Sequence, residues 1–129
     1  MKSGKYKIAQ QINDKSIYAA IELEAEINPS LLNIKIDYET TYLEGWQSGK
    51  EWKSAIAFGT QYFLAHIDAP YNYKNGIYVK VVRFHGHEGD VTMALVSIVT
   101  IKALMDAFKV TIYKEPFLDT QNCMYCFPW

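Results

Sequence analysis

The sequence predicts an α+β fold, a two-layer α/β sandwich in which two helices cover one face of a four-stranded sheet in the order β-β-α-β-α-β. Three observations carry this expectation. Apolar and polar residues alternate in the first third of the chain, apolar residues recur at three- and four-residue steps further on, and 129 residues suffice for one core of ordinary size. With 50% hydrophobic and 21% charged residues the composition is globular, so residues 1–129 are expected to form a single domain.

The first strand is the clearest element. Ile17, Ala19, Ile21, Leu23, Ala25 and Ile27 alternate with Tyr18, Ala20, Glu22, Glu24 and Glu26, giving one buried face and one acidic, solvated face. After the turn residues Asn28-Pro29-Ser30, Leu32, Ile34, Ile36 and Tyr38 alternate with Asn33, Lys35, Asp37 and Glu39. This second strand is expected to be an antiparallel hairpin partner of the first, with Lys35 offsetting the glutamate row. Ser48 and Glu51 stand at capping-box spacing, so a helix should begin there. Trp52, Ala55, Ile56, Gly59, Phe63 and Ile67 form its apolar stripe, Pro70 stops it, and residues 71–76 form a loop closing in an Asn-Gly turn.

Ile77 to Phe84, β-branched and aromatic, reads as the third strand. From Val91 to Phe108 the β-branched residues favour strand by propensity, whereas length favours a helix capped by Asp90, with Ala94, Ile98, Ile101, Met105 and Phe108 along a broad face. Lys109 to Tyr113 is a short candidate fourth strand, ended by Glu115-Pro116. The sequence holds no internal repeat and no low-complexity segment.

Thirteen Lys and Arg against 14 Asp and Glu leave a formal charge of -1. The chain therefore lacks the bulk positive field that general RNA or DNA binding, or attraction to an anionic membrane, draws on. No apolar run approaches the roughly 20 residues that span a bilayer, and Met1-Lys2-Ser3-Gly4-Lys5-Tyr6-Lys7 has no signal-peptide character. A cytoplasmic protein without a membrane partner is expected. No Gly-x-Ser-x-Gly elbow and no phosphate-binding loop ending in Gly-Lys-Ser/Thr occurs, which excludes ATP or GTP hydrolysis on motif grounds. Neither a catalytic set nor a cofactor is expected, and the protein is read as not an enzyme.

The densest polar cluster is Phe84-His85-Gly86-His87-Glu88-Gly89-Asp90, between a strand and a helix start. Its plainest reading is a capped βα loop, with Asp90 as the cap and the glycines serving the turn. A sharper reading joins His85 and His87 to Cys123 and Cys126 as a weak candidate zinc set, because His-x-His and Cys-x-x-Cys are usable ligand spacings. A redox dithiol is less favoured, since the cysteines do not open a helix. Glu88 and Asp90 could do acid–base work, although solvation and capping account for them. His66 is placed near a helix C-terminus, facing the negative dipole end. The aromatic tail, residues 117–129, is too apolar for a disordered terminus and either packs on its own domain or docks onto another subunit.

Taken in order, these segments resemble domain IV of elongation factor G and its eukaryotic counterpart. The run from Tyr18 to Glu26 is similar to that family's first strand, and Ala55-Ile56-Ala57-Phe58-Gly59 to the Ala-Val-x-x-Gly of its first helix. Tyr78-Val79-Lys80-Val81-Val82 followed by His87-Glu88-Gly89-Asp90-Val91-Thr92 is similar to its strand and His-Asp-Val-Asp-Ser-Ser loop, and Ile112-Tyr113-Lys114-Glu115-Pro116 to its Leu-Leu-Glu-Pro exit. The likeness covers roughly residues 6–118. It implies a ribosomal protein S5 domain 2-like fold with a left-handed βαβ crossover, contrary to the usual hand, and it makes the segment from Val91 to Phe108 a helix. In that family the tip loop enters the ribosomal decoding site during translocation. By resemblance His85, His87, Glu88 and Asp90 form the tip loop here, and His87 falls on the histidine that becomes diphthamide in the eukaryotic factor. The family's Gly-rich lead-in and its GTPase are not present in this sequence. The resemblance implies a stand-alone, non-enzymatic domain whose partner is the ribosome or its RNA. The alternative is a protein-interaction or self-assembling module, with a protein partner or homo-oligomer formed through the tail.

Overall fold

The computed structural model describes residues 1–12, 15–28, 31, 33–39, 49–67, 76–86, 92–119, 121 and 124–128. Its elements are β1 (Lys2–Ile12), β2 (Lys15–Asn28), β3 (Ile34–Tyr38), α1 (Gly49–His66), β4 (Gly76–Gly86), α2 (Met93–Phe108), β5 (Phe117–Asp119) and β6 (Met124–Cys126). The first four strands form one sheet in the order β1-β2-β4-β3, and β5 pairs with β6 in a separate ribbon. Both helices pack on one face of the sheet, so the two-layer α+β class is as the sequence predicts.

The order of elements differs from the expected one in three places, one of them the β5–β6 ribbon in the tail. A strand precedes the first expected one: β1 pairs antiparallel with β2 from Lys2↔Ala25 to Ile12↔Lys15. On its other side β2 pairs antiparallel with β4, from Ala19↔Gly86 to Asn28↔Gly76. A strand has two edges, and both edges of β2 are taken. The expected hairpin between β2 and β3 is therefore not made, and β3 lies parallel to β4, from Ile34↔Ile77 to Tyr38↔Val81. Parallel neighbours need a long crossover, which α1 supplies.

The expected strand at Lys109 to Tyr113 is the second difference. Only Ile112 pairs, in an isolated bridge with Ile67. Lys109 ends α2 in the left-handed conformation (φ 55°, ψ 44°), and the chain turns away from the sheet, whose fourth place β1 fills. The expected cap at Asp90 is also replaced. Thr92, with extended backbone, is the N-cap of α2 and its Oγ1 accepts from the Leu95 N–H at 3.1 Å, so the helix starts at Met93. The capping box at Ser48 lies outside the described residues.

The core follows the patterns read from the sequence. Ala19, Ile21, Leu23 and Ala25 of β2 are buried together with Trp52, Ala55, Ile56 and Phe63 of the α1 stripe. The helices meet closely where Gly59 faces Ser97 and Thr100; a Cβ there would lie 2.8 Å from the Ser97 carbonyl oxygen. The buried hydroxyls at this contact are satisfied, Thr60 by Ile56 O, Thr100 by Val96 O, and Ser97 across the interface by Ala55 O at 2.9 Å. The tail folds onto its own domain: the Phe127 ring stands edge-on to Phe58 and Tyr62 of α1, with centroids 5.5 and 5.8 Å away. No helix among the described residues is long and apolar enough to cross a membrane.

Candidate functional site

The end of the sheet where β4 passes toward α2 gathers the described part of the predicted tip loop. Phe84 points inward and stacks on Trp52 (5.9 Å, 27°), and Trp52 stands edge-on to Tyr38. Alternation then puts His85 on the outer face of the sheet. Its ring is edge-on to Tyr18 of β2, with centroids 5.3 Å apart and Tyr18 Oη 3.4 Å from Nδ1. Two aromatic rings with polar atoms thus sit side by side, half-buried, at one end of the domain. His87, Glu88, Asp90 and Cys123 lie outside the described residues.

The outer face of the sheet is charged in two halves, set by register. Beside His85 the row Lys7–Ala20–His85 crosses β1, β2 and β4, and the next row is Lys5–Glu22–Arg83. In this half three cations, Lys5, Lys7 and Arg83, surround one carboxylate, Glu22. Further from the tip, Glu24 pairs with Lys80 and Glu26 with Tyr78 across β2 and β4, while Lys35 and Asp37 lie beyond on β3. Glu39 joins this half through an ion pair with Lys80 at 3.1 Å, which holds the Lys80 amine above its ordinary pKa. Tyr78 donates to Asp37 Oδ2 at 2.9 Å, a bond that pushes its phenol pKa up. Four carboxylates here face two cations. The near-neutral chain therefore carries, among its described residues, a face that is positive near the tip and negative away from it.

Sequence reasoning missed Lys5 and Lys7 because it did not place β1, and it put Tyr18 on the solvated face of its first strand without pairing it with His85. The glutamate row is offset mainly by β1 and β4; Lys35 lies one strand further out and reaches over the Tyr78 ring, 5.9 Å from its centroid. His66 occupies the last turn of α1, its Nδ1 2.9 Å from Tyr62 O and its ring 4.3 Å from that of Tyr62, as expected for a helix C-terminal residue. Of the candidate zinc set, His85 is on the outer sheet face and Cys126 is in β6, whose neighbours Tyr125 and Phe127 lie on the helix layer. No group of three or more His, Cys, Asp or Glu suited to a metal occurs among the described residues.

These features define a two-layer α+β domain with one aromatic, cationic sheet end. No family model matches the sequence, and no curated protein does. Among solved structures the chain is similar to a protein from Thermus thermophilus, with a TM-score of 0.66 at 15% identity. The match covers 86% of this chain and spans 16% of that one, so the shared fold is a domain-sized part of a much larger molecule.

Proposed function

We propose that this chain is a non-enzymatic binding module of the elongation factor G domain IV kind, which engages a ribosomal or other translation-associated RNA site through the β4–α2 end. The observation that carries this reading is the segregation of charge on the sheet. Lys5, Lys7 and Arg83 gather beside the His85–Tyr18 pair, giving phosphate-attracting cations next to rings on which a base can stack. A whole-chain charge of -1 opposes RNA binding only if charge is spread evenly, and here it is not. The Thermus likeness supports the fold on which the reading rests and says nothing about the ligand.

Sedimentation with purified ribosomes at about 50 and about 200 mM salt tests it. Three cations at the tip lead to association at the lower salt and a clear loss at the higher. Absence of association at the lower salt overturns the reading.

A further inference from the structure

A second binding feature, which shares Lys5 and Lys7 with the tip but rests on the backbone edge of the sheet, lies along β1. This strand is an edge of the four-stranded sheet, and it is long, at 11 residues. Its register against β2 determines which backbone groups remain open. A two-residue connection closes the hairpin on the pair Ile12↔Lys15, so hydrogen-bonded pairs with β2 fall on the even residues of β1, and the N–H and C=O groups of the odd residues point away. The structure bears this out at one position: the Lys5 N–H points outward and donates to Asp106 Oδ2 of α2 at 3.0 Å. Asp106 thereby covers the edge at Lys5. Lys7, Ala9 and Gln11 are exposed residues of this edge strand.

From this geometry we infer that the β1 edge from Lys7 to Gln11 accepts an extended acidic peptide as an added strand. Backbone hydrogen bonds to the outward groups of Lys7, Ala9 and Gln11 would supply affinity, and alternate side chains would supply selectivity. On the outer face the added strand would stand beside Lys5 and Lys7, which select carboxylates there. On the helix side an open groove of about 590 Å³ lies between β1 and α2, where Tyr6, Met105 and Val110 stand among the charged Lys102, Asp106, Lys109 and Glu115; apolar side chains of the added strand would pack on the first three. The ligand pattern is thus alternating acidic and apolar, which is the pattern that β2 presents to the other edge of β1 in Ile21-Glu22-Leu23-Glu24. A second copy of β1 would bring lysines and no carboxylate to this edge and is disfavoured as the occupant.

The probe is a blocked hexapeptide, Val-Glu-Val-Glu-Val-Glu, with Val-Lys-Val-Lys-Val-Lys as its control, and the readout is amide hydrogen exchange in the intact chain. The acidic peptide raises protection of the Lys7 and Ala9 N–H groups by at least about tenfold and leaves the even residues of β1 as they were. Ala9→Pro removes an outward N–H that the β1–β2 ladder does not use, so the fold is kept and the added protection is lost. Lys7→Glu, with the ladder untouched, weakens the acidic peptide by about tenfold or more. Ribosome association through the tip is unaffected by Ala9→Pro, which keeps the two readings separable. Equal binding of the lysine peptide, undiminished binding to Ala9→Pro, or protection that appears with protein concentration alone would each overturn the inference.

Discussion

Gly4→Ala probes the seating of β1 on α2, the contact that makes β1 part of the domain. A Cβ at Gly4 would lie 2.6 Å from the Ala107 nitrogen and 2.7 Å from the Ala107 Cβ, and closer still to the Ala103 carbonyl oxygen. Ordinary contact begins at 3.4 Å, so strand and helix must part by 3.4 less 2.6, or about 0.8 Å at least. Two of the three opposing atoms belong to the α2 backbone and cannot rotate away. Overpacking costs about 1–3 kcal/mol, and rigid backbone neighbours place this site near the top of that range. Against it stands the gain of about 0.5–1 kcal/mol from replacing a glycine within a strand. The net expectation is a loss of about 2 kcal/mol, or about 8 °C in Tm for a domain of this size. Urea denaturation followed by circular dichroism measures it, with the midpoint falling and the slope unchanged. Stability equal to or above that of the parent chain would refute the packing of β1 against α2.

Three further outcomes follow from the structure. The Asp106 carboxyl is held below its ordinary pKa by the Lys5 backbone N–H, then by Lys109. A depressed folded-state pKa adds stability that is fully present above the unfolded value of about 3.9 and is lost as pH falls through the folded value. The stability gap between the parent and Asp106→Asn should therefore be constant above about pH 5 and shrink below about pH 4, as read by denaturation at stepped pH. Phe127→Ala uncovers Phe58 and Tyr62 and is expected to cost about 1–3 kcal/mol while the sedimentation coefficient stays that of the parent; a change of oligomeric state would instead favour a tail-mediated interface. Lys109→Gly relieves a left-handed C-cap whose exposed ion pair with Asp106 contributes little, so Tm should rise by a few degrees, equivalent to about 0.5–1 kcal/mol.

The legible parts of the fold were those with a strong period or a clear run of strand formers. β2 and the stripe on α1 each bury the residues that their alternation or three-and-four spacing selects, and β4 was marked by its β-branched and aromatic run. β1 escaped because it is an edge: Lys2, Lys5, Lys7, Gln10 and Gln11 make it polar, and Gly4 interrupts its apolar side, features that discourage edge-to-edge pairing and blur the strand signal alike. The pairing of β3 was not legible either, since its own alternation is the same whether its neighbour is β2 or β4; the choice was decided by β1 occupying the free edge of β2. Val110, Thr111 and Ile112 have strand propensity but follow a left-handed cap, and only Ile112 finds a bridge. At the candidate site, His85 was visible as part of a polar cluster. Its companions Tyr18 and Lys7 are distant in sequence and meet it only through the register of three strands.

The direct test of the account places a benzophenone photo-crosslinker at position 85, beside Tyr18, and in a second sample at position 113. Tyr113 follows the C-terminal end of α2, remote from the tip, and is 68% exposed, so its label is equally free to react. Irradiation with ribosomes at low salt should join position 85 to ribosomal RNA and leave position 113 free of RNA. Crosslinks from position 113 alone, equal yields from both, or none from either would contradict a module that binds RNA through its β4–α2 end.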